Sequence, residues 1–412
     1  MQDENNLRML TVEEAGKEGR VILDLRSPEE FRSSSCPGAV SFPRSDFLKD
    51  REGATGRLDR THSYALMDNS GNGSREICLH LMREGFDLAI LSGGWRSYLA
   101  GKLGRFLLEE EETRKARLAG IERSIIKKFR KELWCPFTKA VREYHLIEEG
   151  DRIACCISGG KDSFLLAKLL QEEQRHGPVK FDLIFLVMNP GYSADNWTII
   201  QRNTEILGIP LTVFETRIFD AVASIDKSPC YLCARMRRGY LYNNARQLGY
   251  TKIALGHHYD DVIETILMGM LYAGKVETML PKLHSQHFEG MELIRPLYLC
   301  REKDIKAWRD YNHLSFLQCA CRFTENTAEW EERRLSKRAL VKELIRELAQ
   351  KDPVIEANIF KSVQNINLRT VMAYHKDGER HSFLDDYEED EDRNNADRNP
   401  TGGSSDLPQA HS

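Results

Sequence analysis

Residues 158–163 of the chain, with the sequence SGGKDS, combine two glycines with one cation, one carboxylate and two hydroxyl groups. The apolar run 153–157 precedes this segment and the amphipathic run 164–170 follows it, an order that predicts a strand, a tight turn and a helix. The first turn of a helix presents unpaired N–H groups and the positive end of the helix dipole, which together bind anions. The segment therefore predicts a phosphate site at the start of a helix.

Each residue type in this segment suits a role at such a site. Gly159 and Gly160 let the backbone approach a phosphate because they carry no Cβ. Lys161 adds a positive charge, and Asp162 and Ser163 suit capping of the helix or contact with a metal. The spacing differs from the Walker pattern, which has four residues between its first glycine and Gly-Lys-Ser/Thr. An ordinary polar turn between strand and helix is the structural alternative.

A second polar segment, 256–261 with the sequence GHHYDD, follows the predicted strand 252–255 and leads into an apolar helix. Asp260 and Glu264 are four residues apart and Asp261 lies beside them, so their carboxylates line the first turn of that helix. Carboxylates beside a triphosphate hold Mg²⁺ or orient a proton transfer. Capping of the helix by Asp260 is the alternative role.

Two cysteines lie at the predicted start of a further helix. Ser228 suits the N-cap and Pro229 the first helical position, and Gly249 suits the helix end. Cys230 and Cys233 then fall in the first turn on one face, where the helix dipole lowers the pKa of a thiol. Two thiolates do not saturate a metal ion, so further ligands are expected elsewhere in the chain.

Cys319 and Cys321 are the remaining candidate ligands in the same part of the chain. Four thiolates would form a structural zinc site, although the spacing CxC is less usual in such sites than CxxC. Three thiolates would hold an iron–sulfur cluster with one iron open to a further ligand. The spacing alone leaves the choice between zinc and a cluster open.

Arg235, Arg237 and Arg238 follow the first cysteine pair, and Arg246 lies two turns further along the predicted helix. A solvated helix face is the ordinary explanation of such a run. Beside a site that activates phosphate, these side chains suit contacts to an RNA backbone, which position the RNA without reading its sequence. We therefore expect Arg235, Arg237 and Arg238 to bind RNA.

The SGGKDS segment resembles the SGGxDS motif of the PP-loop, or N-type, ATP pyrophosphatase superfamily. In those enzymes the loop holds the pyrophosphate of ATP while the α-phosphorus adenylates a substrate oxygen. Together with CxxCARMRRGYLY, IALGHHYDDVIET and IRPL…LQC, the segment resembles the TtcA-type family of tRNA 2-thiocytidine biosynthesis over roughly residues 137–325. These motifs are specific in combination.

This resemblance implies a reaction and its site residues. ATP and Mg²⁺ would serve adenylation of the C2 carbonyl oxygen of a cytidine in the tRNA anticodon loop, and a [4Fe-4S] cluster would deliver sulfur as hydrosulfide on its open iron. The implied ATP-binding residues are Ser158, Gly159, Gly160, Lys161, Asp162, Ser163, Gly256 and His257. The implied catalytic residues are Lys161, Asp260 and Asp261, and the implied cluster ligands are Cys230, Cys233 and Cys319. The family commonly has CxxC at the distal pair, so CxC in this chain leaves the role of Cys321 open.

Three other functions fit parts of the pattern. A 2-thiouridine synthetase would use the same chemistry on another nucleotide. A lysidine-type ligase would adenylate RNA in the same way but needs no thiolates. A non-enzymatic nucleotide or redox sensor would bind ATP without releasing pyrophosphate when tRNA is added.

Residues 7–104 are predicted to form an α/β unit of their own that resembles a rhodanese domain along its full length. The resemblance rests on DLRSPEEF, PGAVSFP and the closing LSGGW. Rhodaneses carry sulfur as a persulfide on a cysteine at the head of the active-site loop, but here that position is Asp68, and a carboxylate cannot hold a persulfide. Cys36 and Cys78 lie elsewhere and are expected to be buried packing residues. We therefore expect a catalytically inactive domain.

The elements that position these motifs belong to an α/β protein. Residues 105–134 are heavily charged with apolar residues at helical spacing, which predicts a solvated connecting helix. Residues 135–370 alternate strands and helices, which predicts a parallel sheet sandwiched by helices, with ligands at the carboxyl ends of the strands. Ser158 and Gly256 both fall at such ends. The predicted strands are 21–25, 64–67, 88–91, 152–157, 183–187, 211–214 and 252–255.

Composition and charge limit the location and the partners. No apolar run approaches the roughly 18–20 residues of a membrane span, and residues 1–6 are too polar for a signal peptide. Ten cysteines without an export signal fit a reducing compartment, which predicts a cytoplasmic protein.

Residues 376–412 are predicted to be an acidic disordered tail. They carry eleven acidic and four basic side chains, so the rest of the chain is mildly positive despite a net charge of -4. A mild positive excess permits binding of RNA. The expected partners are tRNA and a persulfide-bearing sulfur donor such as a cysteine desulfurase, docked by the rhodanese-like domain, and a homodimer is left open.

Overall fold

Two sheets, one in each part of the chain, organise the structure. The computed structural model describes residues 7–216, 229–317, 337–385 and 387, and for 229–235 it describes the backbone alone. The first sheet has five strands and the second has six. This α/β architecture confirms the predicted fold class.

The first sheet lies in the rhodanese-like part of the chain. Its strands are β1 (Met9–Leu10), β2 (Val21–Asp24), β3 (Val40–Ser41), β4 (Ser63–Met67) and β5 (Asp87–Leu91). Its helices are α1 (Val12–Lys17), α2 (Pro28–Ser33), α3 (Arg44–Lys49), α4 (Arg51–Thr55), α5 (Arg75–Arg83) and α6 (Gly94–Leu107). The strand order is β1-β5-β4-β2-β3, and every pairing is parallel. The three strands predicted in this part of the chain are present as β2, β4 and β5. Strands β1 and β3 were not predicted, because two residues are too few to show an alternating pattern of apolar and polar side chains.

The second sheet carries the phosphate-binding motif. Its strands are β6 (Arg152–Ile157), β7 (Asp182–Asn189), β8 (Leu211–Glu215), β9 (Lys252–Ala254), β10 (Lys282–His284) and β11 (Glu292–Ile294). The strand order is β10-β11-β9-β6-β7-β8, and β10 alone is antiparallel to its neighbour. All four strands predicted here are present.

The helices around the second sheet run from residue 135 to residue 362. They are α8 (Cys135–Glu143), α9 (Lys161–His176), α10 (Ala194–Ile206), α11 (Pro229–Gln247), α12 (Tyr259–Met268), α13 (Glu302–Tyr311), α14 (Lys337–Lys351) and α15 (Ile355–Ser362). A π-helix, Gly269–Ala273, continues α12. Strand β6 is buried from Ile153 to Ile157, as expected of a central parallel strand that is covered on both faces.

The segment between the two sheets is exposed at its start and packed on one face toward its end. It contains α7 (Glu111–Ile126) and a π-helix, Arg130–Trp134. Ile121 and Ile125 are buried, and Lys168 of α9 donates to Glu122 at 2.7 Å. The prediction of a solvated connecting helix is therefore corrected only for the second half of α7, which packs against α9, since residues 111–116 are exposed.

The rhodanese-like part and the second sheet's part of the chain pack against each other along α6 and α10. The guanidinium group of Arg202 donates to the carbonyl oxygen of Ala100, and an ideal Cβ at Gly104 would lie 2.8 Å from the same guanidinium. A second contact joins Lys306 of α13 to Glu29 of α2 at 3.3 Å. One buried apolar cluster runs through both parts of the chain.

A hairpin ends the described chain. Its strands are β12 (Ala373–Lys376) and β13 (Glu379–Ser382), and Asp377 and Gly378 both have positive φ, which is typical of a type I′ turn. The predicted disordered tail is therefore corrected at its start, while residues 388–412 lie outside the described residues. Among the helices of the described residues, none has the length and apolar character to span a membrane.

Candidate functional site

Segment 158–163 forms a closed loop between β6 and α9. Ser158 N donates to Ser163 Oγ at 3.2 Å, and Ser163 Oγ donates to Gly160 O at 2.9 Å. Helix α9 begins at Lys161, and its N-cap, Gly160, has no side chain that could accept from the first N–H groups of the helix. The first N–H groups of α9 are therefore available to an anion.

Gly159 is required by the shape of this loop. Its φ is +88°, which non-glycine residues rarely adopt. An ideal Cβ would lie 3.0 Å from Ile200 Cγ1 and 3.1 Å from Leu317 Cδ1. Leu317 also donates its backbone N–H to Gly159 O at 3.2 Å.

Gly256 brings the second polar segment against this loop. An ideal Cβ at Gly256 would lie 3.1 Å from the carbonyl carbon of Asp162 and 3.1 Å from the backbone nitrogen of Ser163. A side chain at this position would crowd the loop, so a glycine favours such close approach of two backbones. Because β6 and β9 are neighbours, the loop and the turn meet at one edge of the sheet, as predicted for parallel strands.

Lys161 is held by two carboxylates. Its Nζ lies 3.1 Å from Asp162 Oδ2 and 3.2 Å from Glu302 Oε1. The second oxygen of Asp162, Oδ1, is buried and accepts no hydrogen bond from the described residues. The loop thus offers two groups to a ligand. One is the ammonium group of Lys161, which can exchange a carboxylate partner for the ligand, and the other is Asp162 Oδ1, which has no hydrogen-bond donor among the described residues.

Asp260 links the turn to α13 rather than capping α12. Asp260 Oδ2 accepts from Glu302 N at 2.7 Å, and Oδ1 accepts from Arg301 Nη2 at 3.2 Å. Helix α12 is capped by His258, whose Nδ1 accepts from Asp261 N at 3.4 Å, while Asp261 Oδ2 accepts from His258 N at 3.1 Å. Asp260 and Asp261 therefore fix the position of the turn.

Arg338 of α14 occupies the remaining carboxylate oxygens beside this turn. It lies 3.1 Å from Asp261 Oδ1 and 3.3 Å from Glu264 Oε2. In the part of the chain that the structure describes, no three His, Cys, Asp or Glu side chains converge on a metal site. Oxygens of Asp260 and Asp261 thus accept from N–H groups of the chain, whereas Asp162 Oδ1 has no hydrogen-bond donor among the described residues.

His257 lies beside a buried arginine. Arg295 Nε donates to His257 Nδ1 at 3.4 Å, so this nitrogen of the imidazole acts as an acceptor. Burial, assisted by the positive charge of Arg295, lowers the pKa of His257 to about 4. The imidazole is therefore neutral at physiological pH.

The predicted metal ligands and RNA contacts are described in part. Helix α11 begins at Pro229, which places Cys230 at its second residue and Cys233 at its fifth. Their side chains, that of Arg235 and all of Cys319 and Cys321 lie outside the described residues.

Of the predicted RNA contacts, Arg237 and Arg238 are described. Arg237 is half-buried and donates to Tyr192 OH at 3.1 Å. Arg238 is exposed. Arg238 is therefore more accessible to solvent than its neighbour Arg237.

Four further residues shape the site without having been predicted from the sequence. They are His258, Arg295, Glu302 and Arg338. His258 and Asp261 fit the sequence pattern of a capping box, in which a capping residue is followed three positions later by an acid, although a histidine is an unusual capping residue. The other three contact the motifs across long sequence separations, which no local pattern reveals.

Asp68 stabilises the rhodanese-like loop with its own carboxylate. Its Oδ1 accepts hydrogen bonds from Ser70 N at 2.8 Å and from Gly71 N. Gly71 has φ +83°, and an ideal Cβ there would lie 2.9 Å from Gly93 N. The N–H groups of Ser70 and Gly71 in this loop thus donate to the carboxylate of Asp68.

The two cysteines of this domain are buried, as expected. Cys36 and Cys78 are 2% and 1% exposed. Burial raises the pKa of Cys36 to about 12 and that of Cys78 to about 11. A protonated, buried thiol is a poor nucleophile, so the inactivity of this domain stays a prediction that the burial of both cysteines favours.

Two family models match the chain. The model of the PP-loop domain matches residues 130–329, and the model of the rhodanese-like domain matches residues 11–100. The matched ranges correspond to the parts of the chain that carry the two sheets.

Curated relatives match the second of these parts. The tRNA-cytidine(32) 2-sulfurtransferase of Shewanella amazonensis is 37% identical over 249 residues, covering 58% of this chain and 73% of that protein. The enzyme of the same name from Pseudomonas fluorescens is 34% identical over 235 residues, covering 55% and 81%. Among solved structures, the U34-tRNA thiolase NcsA from Methanococcus maripaludis with its [4Fe-4S] cluster matches with a TM-score of 0.44 and 21% identity, covering 56% of this chain and 78% of that chain.

Proposed function

This chain belongs to the family of tRNA-cytidine(32) 2-sulfurtransferases, and on that basis we propose that it transfers sulfur to tRNA at the expense of ATP, converting a cytidine of the anticodon loop into 2-thiocytidine. The chain covers 73% and 81% of the length of two such relatives. The enzyme class is accordingly a transferase with an ATP-using PP-loop domain.

The contact of Gly256 with the backbone of Asp162 and Ser163 is the observation that carries this proposal. It brings a phosphate-binding helix start and a second polar turn together at the ends of neighbouring strands. An enzyme that adenylates a substrate needs such a pair, because one element must hold the pyrophosphate while the other faces the α-phosphate.

The residues of the loop would stabilise the departing pyrophosphate. The C2 carbonyl oxygen of cytidine attacks the α-phosphorus, and the bond from that phosphorus to pyrophosphate breaks. Lys161 and the first N–H groups of α9 would balance the charge on the leaving group. Hydrosulfide then adds at C2, AMP leaves with the former carbonyl oxygen, and 2-thiocytidine results.

Mg²⁺ is part of the proposal, with Asp162 as its protein ligand. Magnesium usually binds through one or two carboxylates together with substrate phosphates and water. Asp162 Oδ1 is buried without a hydrogen-bond donor among the described residues, whereas the oxygens of Asp260 and Asp261 accept from N–H groups of the chain. Asp260 and Asp261 would act by positioning the turn.

Cys230, Cys233 and Cys319 are the proposed ligands of a [4Fe-4S] cluster, with zinc as the alternative. The first two lie among the first five residues of α11, and Leu317, two residues before Cys319, donates to the loop at Gly159. When bound, the cluster would supply hydrosulfide at an open iron. Iron and acid-labile sulfide in anaerobically purified protein would support the cluster, and zinc without sulfide would contradict it.

We further propose that the rhodanese-like domain docks the persulfide-bearing sulfur donor, such as a cysteine desulfurase, in the cytoplasm. The support is Asp68, because a domain that cannot carry persulfide can still offer the surface that recognises a carrier. Cross-linking of the full chain to a persulfide-loaded desulfurase should join the donor to residues 7–104. Cross-links confined to residues 135–370 would contradict the docking role. Sedimentation of the same protein decides between monomer and homodimer.

The adenylation step is tested by following pyrophosphate. Wild-type protein with ATP should release pyrophosphate when unmodified tRNA is added, and AMP should accumulate once a sulfur source is present. Lys161→Ala should lose this release. ATP binding without tRNA-dependent pyrophosphate release would favour a sensor over an enzyme.

A further inference from the structure

His258 presents a ring N–H group that has no acceptor among the described residues. The residue is 5% exposed and caps α12, with its Nδ1 accepting from Asp261 N at 3.4 Å. Because Nδ1 is the acceptor of the neutral ring, the ring proton lies on Nε2. Nε2 donates no hydrogen bond to the described residues, and an N–H group that is removed from water favours a bond to an acceptor.

Oδ1 of Asp162 faces this N–H group across a gap. The two atoms are 3.9 Å apart, which is too long for a hydrogen bond. Oδ1 is itself buried and has no hydrogen-bond donor among the described residues. The separation suits one further oxygen atom that contacts both, since distances of about 2.9 Å to Nε2 and about 3 Å to Oδ1 are compatible with it.

This gap lies beside the first turn of α9. Asp162 is the second residue of that helix, and an ideal Cβ at Gly256 would lie 3.1 Å from its carbonyl carbon, so the turn that carries His258 lies against the loop. Lys161 Nζ lies 3.1 Å from the other oxygen of Asp162, Oδ2. The helix start and the ammonium group both attract negative charge, so the surroundings of the gap favour the oxygen of an anion.

We propose that His258 is a further nucleotide-binding residue, whose Nε2–H group donates to a phosphate oxygen of ATP next to Asp162 Oδ1. This inference rests on the proposed function, which supplies ATP as the ligand of the loop. A carboxylate repels a phosphate unless a cation lies between them, and Mg²⁺ at Asp162 would provide that cation. Oxygen ligands that are neighbours around Mg²⁺ are about 3 Å apart, as the gap requires.

The adjacent histidine has a different partner. His257 Nδ1 accepts from Arg295 Nε at 3.4 Å, and Arg295 directly follows β11. The ring nitrogen that faces Asp162, at 3.9 Å, belongs to His258. The motif resemblance implied ATP binding by His257, and the geometry of the loop adds His258 to the residues around the phosphates.

Two substitutions separate the roles of the two ring nitrogens. His258→Asn keeps a side-chain oxygen that caps α12, since asparagine is a preferred N-cap residue, but it is too short to replace Nε2. His258→Ala removes both functions. ATP with Mg²⁺, titrated calorimetrically into the full chain without tRNA, should bind both variants at least about tenfold more weakly than the wild type, because a hydrogen bond to a charged group is lost. The melting temperature should fall in His258→Ala alone.

His176→Asn is the matched control. His176 is the exposed last residue of α9 and lies 3.7 Å from Glu172, so its loss should leave ATP affinity and thermal unfolding unchanged. A higher Mg²⁺ concentration should not restore the ATP affinity of His258→Asn, because the lost contact is with the phosphate and not with the metal ion.

Three results would overturn the inference. Wild-type ATP affinity in His258→Asn would leave Nε2 without a role in nucleotide binding. Weaker ATP binding in His258→Ala alone would assign the residue to the helix cap, and recovery of His258→Asn at high Mg²⁺ would assign it to the orientation of Asp162. A wild-type chain that binds no ATP would contradict the proposed function as well, whereas equal ATP binding and tRNA thiolation by the wild type and His258→Asn would contradict this inference alone.

Discussion

The ammonium group of Lys161 lies 3.2 Å from Oε1 of Glu302, a residue 141 positions further along the chain. Glu302 also pairs with Lys342 at 2.8 Å and with Lys306 at 3.4 Å. Burial raises the pKa of the Glu302 carboxyl, but Lys161 and Lys342 outweigh that effect and hold the pKa well below its usual range. Since Lys306 in turn pairs with Glu29, a row of charges connects the rhodanese-like domain with the ATP site.

Glu302→Gln should strengthen ATP binding and weaken the fold. Without the carboxylate, Lys161 has one competitor fewer for the phosphates, so the Kd for ATP should fall about threefold to tenfold. Lys342 then loses its ion-pair partner, whereas Lys161 keeps Asp162 and Lys306 keeps Glu29. The loss should lower the free energy of unfolding by roughly 1–3 kcal/mol. Calorimetric titration with ATP and urea unfolding measure the two effects.

The matched control for this variant is Glu343→Gln. Glu343 is an exposed glutamate of α14 that pairs with Arg346 at 2.7 Å, and its loss should change neither quantity. Weaker ATP binding in Glu302→Gln than in the wild type would show that Glu302 does not compete with phosphate for Lys161.

Gly159→Ala should disrupt the loop and with it ATP binding. The residue would have to keep φ +88° and place a Cβ 3.0 Å from Ile200, at a cost of about 1–3 kcal/mol. ATP affinity should fall at least tenfold. Gly120→Ala in α7, where no atom lies within 4 Å of the ideal Cβ, should instead stabilise the chain by up to about 1 kcal/mol. Unchanged ATP affinity in Gly159→Ala would contradict the role of the loop.

The cysteines of the rhodanese-like domain should be dispensable for sulfur transfer. The double variant Cys36→Ala and Cys78→Ala should thiolate tRNA as well as the wild type, although the cavities will lower its stability. In native protein, alkylation at pH 8 followed by mass spectrometry should modify the exposed Cys135 and spare both buried thiols. Loss of thiolation in a folded double variant would mean that this domain carries sulfur after all.

The stability of the protein should fall between about pH 6.5 and pH 4 in part because of His257. Its pKa is about 4 in the folded chain against 6.5 for a free imidazole, so the unfolded chain takes up the proton first as pH falls. Stability that is present above pH 6.5 is therefore lost through this window, by at most about 3 kcal/mol. Urea unfolding of His257→Asn should show a smaller loss, and an equal loss would assign the pH dependence to other groups.

Local sequence patterns were enough to predict the strands and the loop at 158–163. The loop was predictable because β6, its two glycines and the start of α9 lie within one short stretch of sequence. The turn at 256–261 was predicted as a carboxylate site, yet its carboxylates bind Arg301, Arg338 and backbone N–H groups. Ion pairs of this kind join residues about 40 to 140 positions apart, and sequence spacing carries no information about them. The packing of α7 escaped prediction because its buried face is short and interrupted by charges.

The most direct test of the central claim is mass spectrometry of tRNA nucleosides from a strain of the source organism that lacks this chain, beside its parent. We predict selective loss of 2-thiocytidine in the deletion strain, with recovery on expression of the wild-type chain but not of Lys161→Ala. An unchanged level of 2-thiocytidine, or loss of a 2-thiouridine in its place, would contradict the assignment to cytidine.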